Sequence, residues 1–342
     1  MSDPAVEVLL KSRPVGAPKE TDFEVRETAA PPPGEGEMLL RLVHLSVDPY
    51  LRGRMNDVKS YVPPFALGEP LESGAVAEVV ASNGGPFAVG DAVTGRMKWA
   101  SLLTHDGEGL TKLDKSMGKL SHALGVLGMP GMTAWAGLTL HGRPKEGETI
   151  VVSAATGAVG SLVCQLAKRK GLRVVGVAGG PEKCAYAVEE LGCDACVDHR
   201  DPELKAKLKA ACPDGVDIYF ENVGGPTLEA TLPLLNDFAR IPLCGMISGY
   251  NATAPFEGAD RFGPFWRLCL VRRVTVRGFI VTDHWGDYPK FLAEVAPLVA
   301  SGEIKARESV TEGLENAPAA FISLLEGGNF GKAVVTVGPE PA

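Results

Sequence analysis

Thr149-Ile150-Val151-Val152-Ser153 is a short apolar run that feeds directly into Ala154-Ala155-Thr156-Gly157-Ala158-Val159-Gly160. A helical stretch follows from Ser161 to Lys170 and stops at Gly171. Leu162, Cys164, Gln165, Leu166 and Ala167 form its inward side, and Lys168, Arg169 and Lys170 lie in its last turn. Glycine ends helices readily, and basic residues suit the negative end of the helix dipole. Leu172-Arg173-Val174-Val175-Gly176-Val177 is then a second strand. Strand, glycine turn, helix and strand in succession predict a parallel sheet covered by helices on both faces.

The turn matches G-x-G-x-x-G with Ala155 in the first place. Gly157 lets the backbone approach a pyrophosphate, and Gly160 allows close helix–strand packing. The helix N-terminus offers unpaired amides to the anion. In this strand–turn–helix setting, Ala155, Thr156, Gly157, Ala158, Val159 and Gly160 are candidate dinucleotide contacts, with a purely structural turn as the alternative.

The unit repeats downstream. Helices are expected over Pro181–Leu191, Pro202–Ala211 and Thr227–Leu235, and strands at Cys196-Val197, Val216–Glu221 and Ala239–Gly245. Pro242 marks the last of these as imperfect or at an edge. Residues 1–125 have a different character. Met38–Ser46, Leu71–Ala81 and Ala92–Gly95 read as strands joined by Pro/Gly turns, and no helical stripe persists for three turns. Gly331–Val337 is a final strand that can return to this first part. The fold class is therefore α/β. A doubly covered parallel sheet spans residues 126–302, and a twisted, barrel-like β domain comes from residues 1–125 and 303–342.

With 342 residues, two domains are expected, and 41 glycines and 26 prolines supply many turns. The balance of 34 basic against 42 acidic residues, net -8, lacks the concentrated positive field that a nucleic-acid surface requires. No apolar run approaches a membrane span, and Met1-Ser2-Asp3-Pro4 has an acid where a secretion signal carries a base. A cytoplasmic protein is expected. Seven cysteines, all from Cys164 onward, do not resemble a secreted disulfide framework. Cys193-Asp194-Ala195-Cys196 lacks a second pair, so its thiols are expected to be small apolar residues.

An NAD site usually places an acid at the tip of the second strand, to bond the ribose hydroxyl. Here the tip reads Val177-Ala178-Gly179-Gly180-Pro181-Glu182-Lys183. Gly179 leaves room for a 2′-phosphate, with Lys183 in reach. His199-Arg200 follows the third strand, which ends beside the same ribose. Arg grips phosphate bidentately and Lys acts as a point charge. NADPH is the expected cofactor. Glu182 and Asp198 are expected to point away or to orient the bases.

Ser46-Val47-Asp48-Pro49-Tyr50-Leu51-Arg52, Leu127-Gly128-Met129-Pro130-Gly131-Met132-Thr133-Ala134, Ala154 to Gly160, Glu221-Asn222-Val223-Gly224-Gly225 and Gly249-Tyr250-Asn251 occur in that order. Together they resemble the zinc-independent medium-chain reductases, in the branch of prostaglandin reductases, bacterial curcumin reductases and plant double-bond reductases. The resemblance implies a GroES-like β domain from the two chain ends, a Rossmann-like domain between them, NADPH, and a cytoplasmic homodimer. It also implies cofactor roles for Met129, Thr133, Lys183, Arg200, Asn222, Gly245, Phe279, Ile280, Val281 and Asn329. Tyr250 matches a tyrosine beside the cofactor ribose and substrate carbonyl, and Tyr50 matches a pocket aromatic. His199 stands where relatives carry a phosphate-binding tyrosine, and a ring nitrogen there can donate in a pH-dependent way. On composition alone, Met129, Phe279 and Tyr50 also suit a core.

Zinc-dependent relatives place a first ligand near Ser46-Val47-Asp48-Pro49, yet no Cys precedes Cys164, and His44 and His105 stand apart. No metal site is expected. Conjugate reduction fits these residues: an α,β-unsaturated ketone or aldehyde accepts hydride at its β-carbon while the carbonyl spreads the developing charge. Tyr250 is the expected hydroxyl donor to that oxygen. A zinc-free quinone oxidoreductase is the rival, and a non-enzymatic NADPH-binding protein a more distant one. Tyr61, Phe65, Phe256, Phe262, Phe265 and Trp266 are candidates for an apolar pocket wall or for packing, in a segment where 251–263 reads as irregular loop.

Overall fold

A computed structural model describes residues 4–114, 118–254 and 261–341. The chain forms two compact units, one from residues 1–125 with 308–342 and the other from residues 126–307. The second junction lies five residues beyond the 302/303 position expected from sequence.

The first unit begins with the antiparallel pair β1 (Pro4–Leu10) and β2 (Phe23–Ala29). It continues through β3 (Met38–Ser46), the one-turn helix α1 (Leu51–Arg54), β4 (Glu72–Ser82), β5 (Ala92–Lys98), β6 (Leu102–His105) and β7 (Thr111–Lys112). Strand β3 has the bounds read from sequence. Its Leu40, Leu42 and Leu45 join Val8, Ala75, Val93 and Trp99 in a fully buried core. Full burial of each leucine stabilises by about 1.5–3 kcal/mol.

The second unit runs α2 (Met129–Ala136), β8 (Thr149–Ser153), α3 (Gly160–Arg169), β9 (Arg173–Ala178), α4 (Pro181–Glu189), β10 (Ala195–Asp198), α5 (Leu204–Ala211), β11 (Val216–Phe220), α6 (Gly225–Thr231), β12 (Leu235–Leu243), α7 (Phe262–Arg272), β13 (Thr275–Gly278) and α8 (Tyr288–Ala300). Its six strands are parallel in the order β10-β9-β8-β11-β12-β13. Strand alternation divides the core between two faces. Ile150, Val152 and Val174 pack with Leu162, Val163 and Leu166 of α3. Val151, Val175 and Val177 pack with Leu204, Leu208 and Tyr219. Strands buried on both faces need continuous apolar runs, which is why β8 was legible as a strand.

Three expectations are corrected here. Strand β12 is not at an edge, because β13 lies outside it. Its imperfection is a register shift against β11, and the Pro242 carbonyl still accepts the Glu221 amide at 3.0 Å. The helix expected from Thr227 starts at Gly225, because Gly224 (φ +76°) turns the chain and Pro226 suits a first turn. The expected loop up to Gly263 ends at Phe262, where α7 begins; Phe256 lies outside the described residues.

The chain then returns to the first unit through β14 (Glu308–Glu312), α9 (Ala317–Leu325) and β15 (Lys332–Thr336). Strand β15 pairs antiparallel with β3, giving the order β14-β15-β3-β4-β5-β7 with β6 also on β3. The final strand therefore completes the β unit, as the sequence suggested. Among the described residues, no helix is long and apolar enough to cross a membrane.

Candidate functional site

In the second unit the chain order reverses between β8 and β11, which are neighbours in the sheet. Crevices beyond the carboxyl ends of strands at such a point are the natural ligand sites of parallel sheets. The glycine turn leaves β8 here. The Ala155 amide donates to Val177 O at 3.0 Å, and Gly157 N to Ala154 O at 2.9 Å. Ala155, Thr156 and Gly160 are buried, while Gly157, Ala158 and Val159 are half-buried, so the tip of the turn is accessible.

Gly160 is sterically obligatory. A Cβ there would lie 2.2 Å from Ala154 O and 2.9 Å from its carbonyl carbon. Ala154 itself takes a left-handed φ of +50°, which aims that carbonyl at the start of α3. Gly160→Ala is expected to destabilise the second unit by about 1–3 kcal/mol, the usual cost of forcing an atom into packed structure. A denaturation midpoint unchanged from the parent would show that the turn relaxes freely.

At the end of β9, Gly179 and Gly180 lead into α4. A Cβ on Gly179 would lie 2.8 Å from His199 Nε2 and 3.4 Å from Arg200 Nη2, so both side chains lie over this glycine. Burial lowers the Lys183 pKa, and Arg200 lowers it further against the opposing pull of Glu182. His199 is likewise lowered by burial, then by Arg200, with Lys183 adding to the effect and Asp198 opposing it. The Lys183 ammonium in the first turn of α4 and the Arg200 guanidinium after β10 thus repel one another across one corner beside His199, and a bound dianion relieves that repulsion. Asp198 orients the corner. Its carboxylate accepts the backbone N–H groups of Gly180 and Arg200, which hold its pKa below the usual carboxylate range.

Asn222 stands at the end of β11. Its backbone amide donates to Ser153 Oγ at 2.8 Å, and its side-chain amide donates to Ser153 O at 2.7 Å. Beneath it, the fully buried Glu221 accepts the amides of Val223 at 2.7 Å and Gly224 at 2.9 Å on one oxygen, with Ser153 Oγ 3.1 Å away. This carboxylate holds the Asn222–Gly225 turn against β8, and the sequence reading missed it. The one available signal was an acid closing the apolar run Val216-Asp217-Ile218-Tyr219-Phe220 three residues before the glycine pair Gly224-Gly225.

Tyr250 follows a one-turn 3-10 helix, Ile247–Gly249, beyond β12. Its hydroxyl accepts the Met246 amide at 3.4 Å and lies 3.3 Å from where a Gly245 Cβ would stand. The same Cβ position is 3.3 Å from Asn222 O, so Gly245 is the spacer between the β11 turn and the phenol. Burial raises the Tyr250 pKa, so the phenol stays protonated and able to donate.

Other expected contacts are placed separately. Met129 opens α2, and Thr133 turns its hydroxyl back to Met129 O at 2.7 Å. Phe279 is core, its ring 4.9 Å from that of His141, whereas Ile280 and Val281 are half-buried. In the first unit, the Tyr50 pKa is pushed up to about 12 by burial and then by Asp48, against Arg96 and Arg54. Asn329 donates its side-chain amide to Gly331 O at 2.7 Å. Phe65 is buried beneath the Arg54 guanidinium, 4.0 Å from its ring centre, whereas Tyr61, Phe262 and Trp266 are exposed. His44 bonds Glu340 at 3.2 Å and His105 accepts the Gly107 amide. Among the described residues, no three His, Cys, Asp or Glu side chains are grouped to hold a metal.

Residues 7–113 match the family model of the N-terminal domain of oxidoreductases, and residues 158–297 that of zinc-binding dehydrogenases. The chain is 49% identical over 330 residues to the NADPH-dependent curcumin reductase of Escherichia coli K12, covering 96% of each protein. It is 42% identical to the NADP(+)-dependent 2-alkenal reductase of Nicotiana tabacum, covering 98% of each. The crystal structure of Vibrio vulnificus CurA in complex with NADPH superposes with a TM-score of 0.94 at 50% identity, covering 98% of this chain and 99% of that one.

Proposed function

This chain belongs to the zinc-independent medium-chain dehydrogenase/reductase family, in the branch of the curcumin and prostaglandin reductases, and from that premise we infer that it reduces the carbon–carbon double bond of α,β-unsaturated aldehydes and ketones with NADPH. It has the family's two-domain architecture, a Rossmann-like domain and a GroES-like domain. The observation that carries the site assignment is the convergence, at one end of one sheet, of the glycine turn, a three-base corner and a half-buried phenol. The corner follows β9 and the phenol follows β12, three strand spacings apart, or roughly 14 Å. That span suits a nucleotide lying across the strand ends.

When bound, the reduced nicotinamide supplies a hydride. The protein's own work is to bind, orient and polarise. The α3 N-terminus and the 155–160 turn hold the pyrophosphate, and Gly179 lets the His199 and Arg200 side chains close over the β9 tip, where with Lys183 they hold the 2′-phosphate. Asn222 and Gly245, fixed through Ser153 and Glu221, line the groove toward Tyr250. Tyr250 donates its hydroxyl to the substrate carbonyl as charge develops there, so the β-carbon becomes the electrophile. We assign Met129, Thr133 and the Phe279–Val281 backbone to the nicotinamide side.

Lys183→Ala is expected to weaken NADPH binding by about tenfold, the loss of one charge-assisted contact, with NADH binding unchanged. Titrating both nucleotides into parent and variant measures this, and an unaltered NADPH/NADH preference removes Lys183 from the phosphate corner. Assays run side by side with an enone and a quinone separate double-bond reduction from the quinone alternative.

We also propose a cytoplasmic homodimer. All seven cysteines are free, as suits a reducing compartment. Strand β13 is an exposed sheet edge bearing Val276, and Leu270 and Val271 of α7 are exposed beside it. An open edge of this kind invites pairing with a second copy.

A further inference from the structure

Glu221 is 1% exposed, and its carboxylate is held without a cation. Oε1 takes the Val223 and Gly224 amides, with the Ser153 hydroxyl beside them. Oε2 is buried and reaches no hydrogen-bond partner among the described residues. Only amide and hydroxyl dipoles therefore face this charge. A neutral amide oxygen could accept the same donors, and burying a lone charge is costly. Holding the turn explains the shape of the side chain but not its charge.

The position of Glu221 supplies the missing role. It closes β11, between β8 and β12 in the sheet. On the β8 side it meets Ser153, the residue before the glycine turn. On the β12 side its backbone carbonyl accepts the amides of Cys244 at 2.9 Å and Gly245 at 3.1 Å. The next two carbonyls, of Asn222 and Val223, accept the amides of Ile247 at 3.3 Å and Ser248 at 3.0 Å. These bonds seat the 3-10 turn that carries Tyr250. The charge thus lies beneath the groove on the way from the pyrophosphate turn to the phenol. Its field reaches the neighbouring strand end, where burial and then Glu221 push the Cys244 thiol up to about 12.

We propose that Glu221 is a fixed negative charge beneath the groove that favours the oxidised, cationic nicotinamide over the reduced, neutral one, and so helps drive hydride out of NADPH. Hydride transfer carries two electrons and one proton from the nicotinamide C4 to the substrate β-carbon and leaves the ring positive. A carboxylate in place before the transfer stabilises that positive charge without reorganising. A unit charge acting over about 10 Å of partly buried protein shifts an equilibrium on the order of tenfold. The proposal rests on the reading of Asn222, Gly245 and Tyr250 as the nicotinamide end of the groove.

The test titrates NADPH and NADP+ separately into the full-length parent and Glu221→Gln. Both nucleotides share the adenosine, the 2′-phosphate and the pyrophosphate, so packing losses and phosphate repulsion cancel in the ratio of their Kd values. Glu221→Gln is expected to weaken NADP+ relative to NADPH on the order of tenfold and to slow single-turnover hydride transfer to an enone. Glu221→Asp, which keeps the charge, should hold the parent ratio within about twofold even where both affinities fall. An unchanged ratio in Glu221→Gln would reduce the residue to a structural part and overturn the proposal. Should the Gln variant lose its cooperative melt, Glu221→Asp decides: the parent ratio supports the charge, and a tenfold weaker relative grip on NADP+ overturns it. The nucleotide site is judged separately on Lys183→Ala. If that variant loses its NADPH preference while the Glu221→Gln ratio stays at the parent value, the groove stands and the charge falls.

Discussion

Replacing Tyr250 by Phe will lower turnover with an enone by about 10²-fold, the usual effect of removing one donor to a developing oxyanion. NADPH affinity should barely change. Among the described residues, the phenol oxygen bonds only as an acceptor, from the Met246 amide at 3.4 Å. Its own proton is therefore the group it has to offer. Burial keeps that proton in place at neutral pH, so the side chain acts as a donor across the working range and need not serve as the acid. The α-carbon proton can then come from water. Pre-steady-state turnover and nucleotide titration on the same preparation check this. Equal losses in turnover and in NADPH affinity would mean that the ring holds cofactor and has no separate role at the carbonyl.

A second large effect is expected in the first unit. Lys332→Ala should destabilise the first unit by about 3–5 kcal/mol, the range for breaking a buried ion pair from one side. Lys332 is 4% exposed, and its ammonium donates to Val47 O and Ala333 O at 2.8 Å each while lying 3.2 Å from Asp48 Oδ1. Asp48 is 6% exposed and also accepts the Ser46 hydroxyl. Removing the ammonium strands a carboxylate and two carbonyls together. The same segment supplies Tyr50, which feels the Asp48 charge, so activity should fall with stability. Hydrogen exchange of peptides 44–48 and 332–336, read against 149–178 of the second unit, localises the loss. Unchanged protection at 44–48 would show that the pair is dispensable. Asp48→Asn together with Lys332→Met should recover part of the stability, since no lone charge then remains buried.

This ion pair also shows where sequence reading reaches its limit. Ser46-Val47-Asp48-Pro49 was legible as the place where zinc-dependent relatives begin their ligand set. That Lys332, at the far end of the chain, engages the carboxylate depends on β15 pairing with β3, a long-range contact with no local signature. The glycine turn was legible because its steric demands are local: Gly160 meets Ala154 six residues away. The basic corner was half legible. Its members could be named from the strand tips, but their mutual repulsion appears only when β9 and β10 lie side by side. Glu221 was missed because a strand-end acid ordinarily reads as solvated charge, whereas here it is spent on the backbone of the next turn. Phe65 and Phe262 were indistinguishable in sequence, yet the fold buries one beneath Arg54 and exposes the other on α7.

The most direct test of the central claim follows the hydride itself. The enzyme is given NADPH deuterated at the transferable C4 position and a simple enone, and the product is analysed by mass spectrometry and NMR. The account predicts a saturated ketone carrying one deuterium on the former β-carbon. An allylic alcohol with deuterium on the carbinol carbon would contradict it.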